Sequence, residues 1–387
     1  MSKLTRLTDA LAILAMLISP VASGEQVVKV ADSAQSMESS NDSVSGAVPQ
    51  LFVITSFSNA VAVIDSTTNR ITNRIPVGTT PIRLAMTPDG LKAYVSNHGD
   101  DTVSVIDTAN QIVTATIPIG VGGAQEITVT PDGALVFVVH EDSGNVAVIS
   151  TATDTLLANV PIGGIGAKDV LATPDSQFVY VANYTASMVN VIDTSTLQVI
   201  NNIATAPGPR HFAISPAGDR IFVANYLGNS VAVIDTATQT LIQNISVGRR
   251  PRGLAITPDG SQTWVSNVTG GTVSVIDNTR LRVIAATRVG SQPWNITITP
   301  DGAWAYVSNS QSNSVSIINT STHSVTKTLT VGMGPFFSVV NPSATALYVS
   351  NAGDTTVSVI DLASQTVLRT ITQVGQQPFD LAFDTPQ

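Results

Sequence analysis

The sequence predicts an all-β protein, a β-propeller of eight four-stranded blades, and three observations predict it. A turn of the Thr-Pro-Asp-Gly kind returns at a nearly constant interval of about 42 residues. Within each interval, four short segments rich in Val, Ile, Thr and Tyr are separated by Gly, Asn and Asp. Helical periodicity is missing, and the frequent Gly and Pro residues would break helices in any case.

The turn prolines stand at 88, 131, 174, 216, 258, 300, 342 and 386, so the steps are 43, 43, 42, 42, 42, 42 and 44. A period that regular leaves almost no room for insertions. One unit shows the pattern. Ala93 to Asn97 is a strand, His98 to Asp101 turns the chain, and Thr102 to Asp107 is the next strand. Thr108 to Gln111 turns it again, Ile112 to Ile117 is the third strand, and Glu126 to Thr130 follows a Gly-rich connection as the fourth. Small apolar residues occupy both faces of these strands. Such a sheet must be covered on both sides, which radially stacked blades achieve.

The tetrapeptides Tyr94-Val95-Ser96-Asn97, Tyr306-Val307-Ser308-Asn309 and Tyr348-Val349-Ser350-Asn351, with the Val-Ser-Val-Ile-Asp segments ending at Asp107, Asp277 and Asp361, resemble the repeat of the YVTN β-propellers. That family includes archaeal surface-layer proteins and exported bacterial propellers. The resemblance covers the chain from Leu51 onward and implies the propeller fold. It implies little about activity, because the fold hosts many. Family members commonly have seven blades, which is the alternative to eight here.

Counting favours eight. The Ile-Asp type of strand ends at Asp65, Asp107, Ser150, Asp193, Asp235, Asp277, Asn319 and Asp361. The chain opens with three outer strands, Leu51 to Ile75, and closes with a lone inner one, Phe379 to Phe383. Pairing the two ends completes one blade and removes the open edges of the ring.

Around this domain, residues 1–24 carry the marks of a signal peptide: Lys3 and Arg6, an apolar run from Leu11 to Val21, then Ala22-Ser23-Gly24. Residues 25–49 are a Ser- and Asp-rich spacer, and 50–387 are the propeller. The expected location is therefore outside the cytoplasm, in periplasm, at the cell surface or secreted. No stretch of the mature chain is apolar enough to span a membrane. The 387 residues contain no cysteine, which excludes disulfides, thiolate catalysis and cysteine-held metals. A net charge of −9 argues against a nucleic-acid partner.

The repeated Asp residues share their slot with Ser150 and Asn319, so the slot wants a cap on turn amides and not a carboxylate. The Asn of Tyr-Val-Ser-Asn is expected at a turn, in left-handed backbone. The repeated aromatics (Tyr94, Tyr180, Trp264, Tyr306, Tyr348) are expected to pack between blades. No nucleophile elbow, phosphate loop or paired-His motif is present. His98, His140, His211 and His323 share no short spacing, so neither a metal nor a cofactor is expected.

Function is sought where the repeats disagree. The two slots opening each inner strand hold Ile82-Arg83, Gln125-Glu126, Lys168-Asp169, Arg210-His211, Arg252-Gly253, Trp294-Asn295, Phe336-Phe337 and Phe379-Asp380. In a propeller they ring one mouth of the central channel. Lys168, Arg210 and Arg252 form a cationic arc, and Trp294, Phe336 and Phe379 an aromatic one. Arg83, Glu126, Asp169, His211 and Asp380 complete the candidate site. Such a mouth suits a small anionic ligand with an apolar part, or a protein partner with an acidic segment. The expectation is an exported, monomeric, non-enzymatic binding or cell-envelope scaffold propeller. The alternative is an enzyme resembling propeller lactonases or amine-dehydrogenase-like proteins. It would need Glu126, Asp169, His211 and Asp380, whose blades are spread round the ring, to converge.

Overall fold

A computed structural model describes residues 48–384 of the chain. The expected signal peptide and nearly all of the spacer lie outside the described residues. Those described form eight four-stranded antiparallel sheets. Blade 1 combines Gln50–Thr55, Ala60–Asp65 and Arg70–Pro76 with the C-terminal Pro378–Phe383. Blades 2 to 8 are continuous and occupy 81–118, 124–161, 167–204, 209–246, 251–288, 293–330 and 335–371.

The ring closes as the strand count requires. Leu51, Phe52 and Val53 pair with Phe383, Ala382 and Leu381 in antiparallel register. The seam is clasped at its end, where the Gln50 amide donates to Asp384 Oδ1 at 2.8 Å and the Asp384 amide to the Gln50 carbonyl at 3.1 Å.

The hydrophobic core is a set of slabs between blades, not a single centre. One slab joins Leu51, Val53, Ala62 and Ile64 of blade 1 to Tyr348, Val357 and Val359 of blade 8. The repeated aromatics fill these slabs as expected. Tyr94 donates from its hydroxyl to Asp154 of blade 3 at 2.5 Å, and Tyr348 to Asn69 of blade 1 at 2.6 Å. Burying each ring stabilises the blade contact by about 2–3 kcal/mol, and in Tyr94 and Tyr348 the hydroxyl also ties the blades together.

The acidic slots are caps. Asp65 Oδ1 accepts the amides of Thr67 and Thr68 at 2.8 Å each, and Asn319 Oδ1 takes those of Ser321 and Thr322 at 3.1 and 3.0 Å. The Asn of Tyr-Val-Ser-Asn corrects an expectation. Asn97 ends a strand, fully buried, and is absent from the left-handed backbone positions, which fall instead on residues such as Asp101 and Asn313 in the turns. Its amide nitrogen donates to Thr102 and Ser104, both at 3.0 Å. Gly78 of the inter-blade loop lies so close that a Cβ there would stand 2.5 Å from Asn97 Cγ. Buried amide and glycine are thus one packing unit.

The Ser beside that Asn positions the channel-lining slots. Ser266 Oγ accepts from the Gly253 amide at 2.8 Å in its own blade and donates to the Trp294 carbonyl at 3.0 Å in the next. Ser96 and Ser350 make the same pair of bonds. In these three blades the slot is therefore anchored to two blades, at the irregular pairing that opens the inner strand.

Candidate functional site

Side chains at successive strand positions alternate in direction, so the two slots of each inner strand do different things. First-slot side chains meet the turns that follow the Tyr-Val-Ser-Asn strand. Lys168 pairs with Glu141 of blade 3, whose second oxygen accepts from Gln125 at 2.5 Å. Lys168 also lies 5.8 Å from the centre of the Tyr184 ring. The Arg210 guanidinium lies 5.1 Å from the centre of the Tyr226 ring, and Arg250 flanks the same ring at 5.5 Å.

Second-slot residues of neighbouring blades meet in pairs. Arg83 Nε donates to both oxygens of Glu126, at 2.9 and 2.8 Å. Asp380 Oδ2 accepts the Leu84 amide of the next blade at 3.2 Å. Asp169 does the same with the Phe212 amide at 2.8 Å, and stands 3.4 Å from His211 Nδ1.

Electrostatics follow from this crowding. Burial, and then Glu126, push the Asp169 carboxyl well above its ordinary range, against the amides that bind it. Burial lowers the His211 imidazole well below its ordinary value, and Arg252 and Arg210 lower it further. Both shifts favour the uncharged partners. Burial raises Asp380 to about 6 even with Arg83 opposing it. Burial pulls the Arg83 guanidinium down, but Glu126 and Asp380 outweigh it and hold the group above its ordinary value.

The aromatic arc packs on itself. Trp294 and Phe336 are 4.5 Å apart between ring centres, and Phe336 and Phe379 are 5.2 Å apart. Phe336 and Phe379 are buried, and Arg83 sits 4.3 Å from the Phe337 ring and 5.0 Å from that of Phe379. These rings stiffen one side of the channel and offer little free surface.

Arg252 stands out from this network. It is only 5% exposed, and its guanidinium lies 3.6 Å from the centre of the Trp294 ring. It makes no side-chain hydrogen bond and no ion pair among the described residues. Burial, and then the neighbouring Arg210 and Arg83, hold its guanidinium well below the ordinary value. A buried charge without a counter-charge costs several kcal/mol, and a desolvated cation–π contact returns about 2 kcal/mol of it.

Every candidate from the sequence thus falls in the opening residues of an inner strand, but in different states. Arg83, Glu126, Asp169, Asp380, Phe336 and Phe379 are engaged in holding blades together. Lys168 is paired. Arg210, Arg252 and Trp294 form the cationic corner, with His211 beside them. Sequence reasoning missed Tyr226, Arg249 and Arg250. The signal was present in Arg249-Arg250-Pro251-Arg252, three arginines in four residues of a chain with 18 basic residues in all. Among the described residues no three His, Cys, Asp or Glu side chains gather as metal ligands would.

Comparisons with known proteins agree on the fold. The model of the YNCE-like β-propeller family matches residues 11–140, 121–255 and 211–308. No protein of curated function matches the sequence. Among solved structures, hydrazine synthase of Kuenenia stuttgartiensis superposes with a TM-score of 0.60 at 22% identity, covering 73% of this chain and 96% of that one. The dihydro-heme d1 dehydrogenase NirN, in complex with DHE, gives 0.74 at 16% identity, covering 89% and 77%. A protein of unknown function from Desulfotomaculum acetoxidans gives 0.60 at 19%, covering 87% and 99%. At these identities the likeness is one of fold.

Proposed function

The chain belongs to the YNCE-like β-propeller family, and from that premise we propose that it is a non-enzymatic binding propeller that takes an anionic partner at the arginine corner of its channel mouth. The observation that carries the reading is Arg252: buried, stacked on Trp294, and without a carboxylate. Every other buried cation whose pairing is described at the mouth has its counter-charge, Glu126 for Arg83 and Glu141 for Lys168. An incoming anion would supply the one that Arg252 lacks, and charge-assisted, bidentate contacts favour carboxylate or phosphate groups. The self-packed rings of Phe336 and Phe379 make the apolar part of the ligand less important than its charge.

Export belongs to the same proposal and rests on the order of basic, apolar and small residues in 1–24. Sequencing the N-terminus of the secreted or periplasmic protein checks it, and an intact Met1 would contradict it.

One observation favours an enzyme as the second reading. Asp169 contacts His211, Glu126 and Asp380 both act on Arg83, and two of these carboxyls have raised pKa values, which is common at catalytic sites. Backbone amides from the next blade already occupy Asp169 and Asp380, however, which gives both a structural task. Binding at Arg252 is tested by titrating the protein with citrate while following tryptophan emission. Trp294 should report saturable binding in the native protein, and Arg252→Met should abolish it. An unchanged titration in that variant would refute the assignment.

A further inference from the structure

Arg252 is the inner end of a longer feature. The loop from Val247 to Arg250 leads onto the inner strand Pro251–Ile256, so Arg249, Arg250 and Arg252 descend from the rim of the face to the channel. Three peptide steps span at most about 10 Å, the advance of three residues in an extended ligand. Arg249 and Arg250 are exposed and make no ion pair among the described residues. Arg250 and Arg210 lie on the Tyr226 ring at 5.5 and 5.1 Å, which joins the rim cations to those of the mouth.

The strip is held rigidly from both sides. Asn229 Oδ1 of blade 5 accepts the Arg250 amide at 2.9 Å. The carbonyls of Arg250 and Arg249 accept the amides of Val268 and Thr269 at 3.0 and 3.3 Å. A strip fixed in place loses little further freedom when a partner docks.

The loops around it are free of acid, although Glu126 acts on Arg252 within the channel. The turns 184–187, 226–229, 268–271 and 310–313, and the inter-blade loops 205–208, 247–250 and 289–292, contain no Asp or Glu. The acidic residues of this face fall elsewhere, at Asp100, Asp101, Glu141, Asp142 and Asp354. Leu227, 53% exposed, stands in the turn beside Tyr226 and offers an apolar contact.

From this placement we infer that Arg249, Arg250, Arg252 and Arg210 form one track for an extended acidic polypeptide segment, running from the rim into the channel mouth. The inference rests on the reading of Arg252 as an anion site and goes beyond it by naming the partner's chemistry. Separated guanidinium groups on a continuous line match carboxylates spaced along a chain better than one compact anion. The exposed Leu227 beside the strip offers a contact suited to a peptide side chain rather than to the sugar–phosphate backbone of a nucleic acid.

The test uses a fluorescein-labelled deca-glutamate peptide, citrate, and a labelled ten-nucleotide oligothymidine, each titrated at moderate and high salt. The native protein should bind the peptide, less well as salt rises, and more tightly than the oligonucleotide. Arg249→Ala with Arg250→Ala should weaken the peptide by about tenfold, while its melting temperature and the citrate response of the mouth persist. Peptide binding that ignores the double substitution would overturn the track, as would equal affinity for the oligonucleotide. Loss of the citrate response in the native protein would instead overturn the anion site itself, so the two failures are distinguishable.

Discussion

Arg83 and Arg252 are buried to nearly the same degree, 6% and 5% exposed, in the same channel, and each lies against aromatic rings. They differ in what answers their charge. Arg83 holds Glu126 through both carboxylate oxygens, with Asp380 also acting on it. Arg210 and Arg83 act against Arg252, whose one direct contact is the Trp294 ring, with weaker support from Tyr226 and Glu126 and no ion pair. The first is a cation that the fold uses. The second is one that the fold tolerates, and a tolerated charge in a buried position marks a place kept for something else.

The contrast is breakable by substitution. Arg83→Met removes one partner of a buried pair and leaves Glu126 and Asp380 facing each other. It should cost about 3–5 kcal/mol in denaturant unfolding, and a loss below about 1 kcal/mol would show that the pair is not structural. Adding Glu126→Gln to that variant should restore about 1–3 kcal/mol, because it removes the stranded charge. Strict additivity of the two would argue that they do not act together.

Asp380 sharpens the same contrast through pH. Its carboxyl is raised to about 6 in the fold from an ordinary 3.8, so between those values the folded state binds more protons than the unfolded one. Stability should therefore fall as pH rises through that window, and Asp380→Asn should flatten the slope. Unfolding curves for both proteins across pH 4 to 7 check this, and parallel slopes would contradict it. The smallest effect is expected at Arg252: Arg252→Met should lose less than about 1 kcal/mol, since a well-packed apolar side chain replaces an uncompensated charge.

The fold was legible because a propeller writes its geometry into local chemistry. Turn prolines at constant steps give the blade count, and unmatched strands at the two ends give the closure, later seen as Leu51 pairing with Phe383. Caps such as Asp65 and Asn319 were legible because Asp, Asn and Ser share a slot. The Asn97 role was not, since its partner Gly78 belongs to another part of the period and the contact depends on how loop and strand stack. The composition of the mouth was legible and its pairing was not. Whether Arg83 reaches Glu126, or Asp169 reaches His211, is decided by channel width and blade tilt, and no single repeat encodes either. The arginine strip 249–252 was visible as letters, but its meaning came from Tyr226, which lies on the preceding blade.

The most direct measurement compares thermal unfolding of the native protein, Arg83→Met and Arg252→Met, each with and without saturating citrate. Citrate should raise the melting temperature of the native protein and of Arg83→Met, since a ligand at a hundred times its Kd stabilises by about 2.7 kcal/mol. Arg252→Met should melt near the native protein without citrate and gain nothing from it. An Arg252→Met protein that melts far lower, or that citrate still stabilises fully, would contradict the claim that this arginine is kept for an anion.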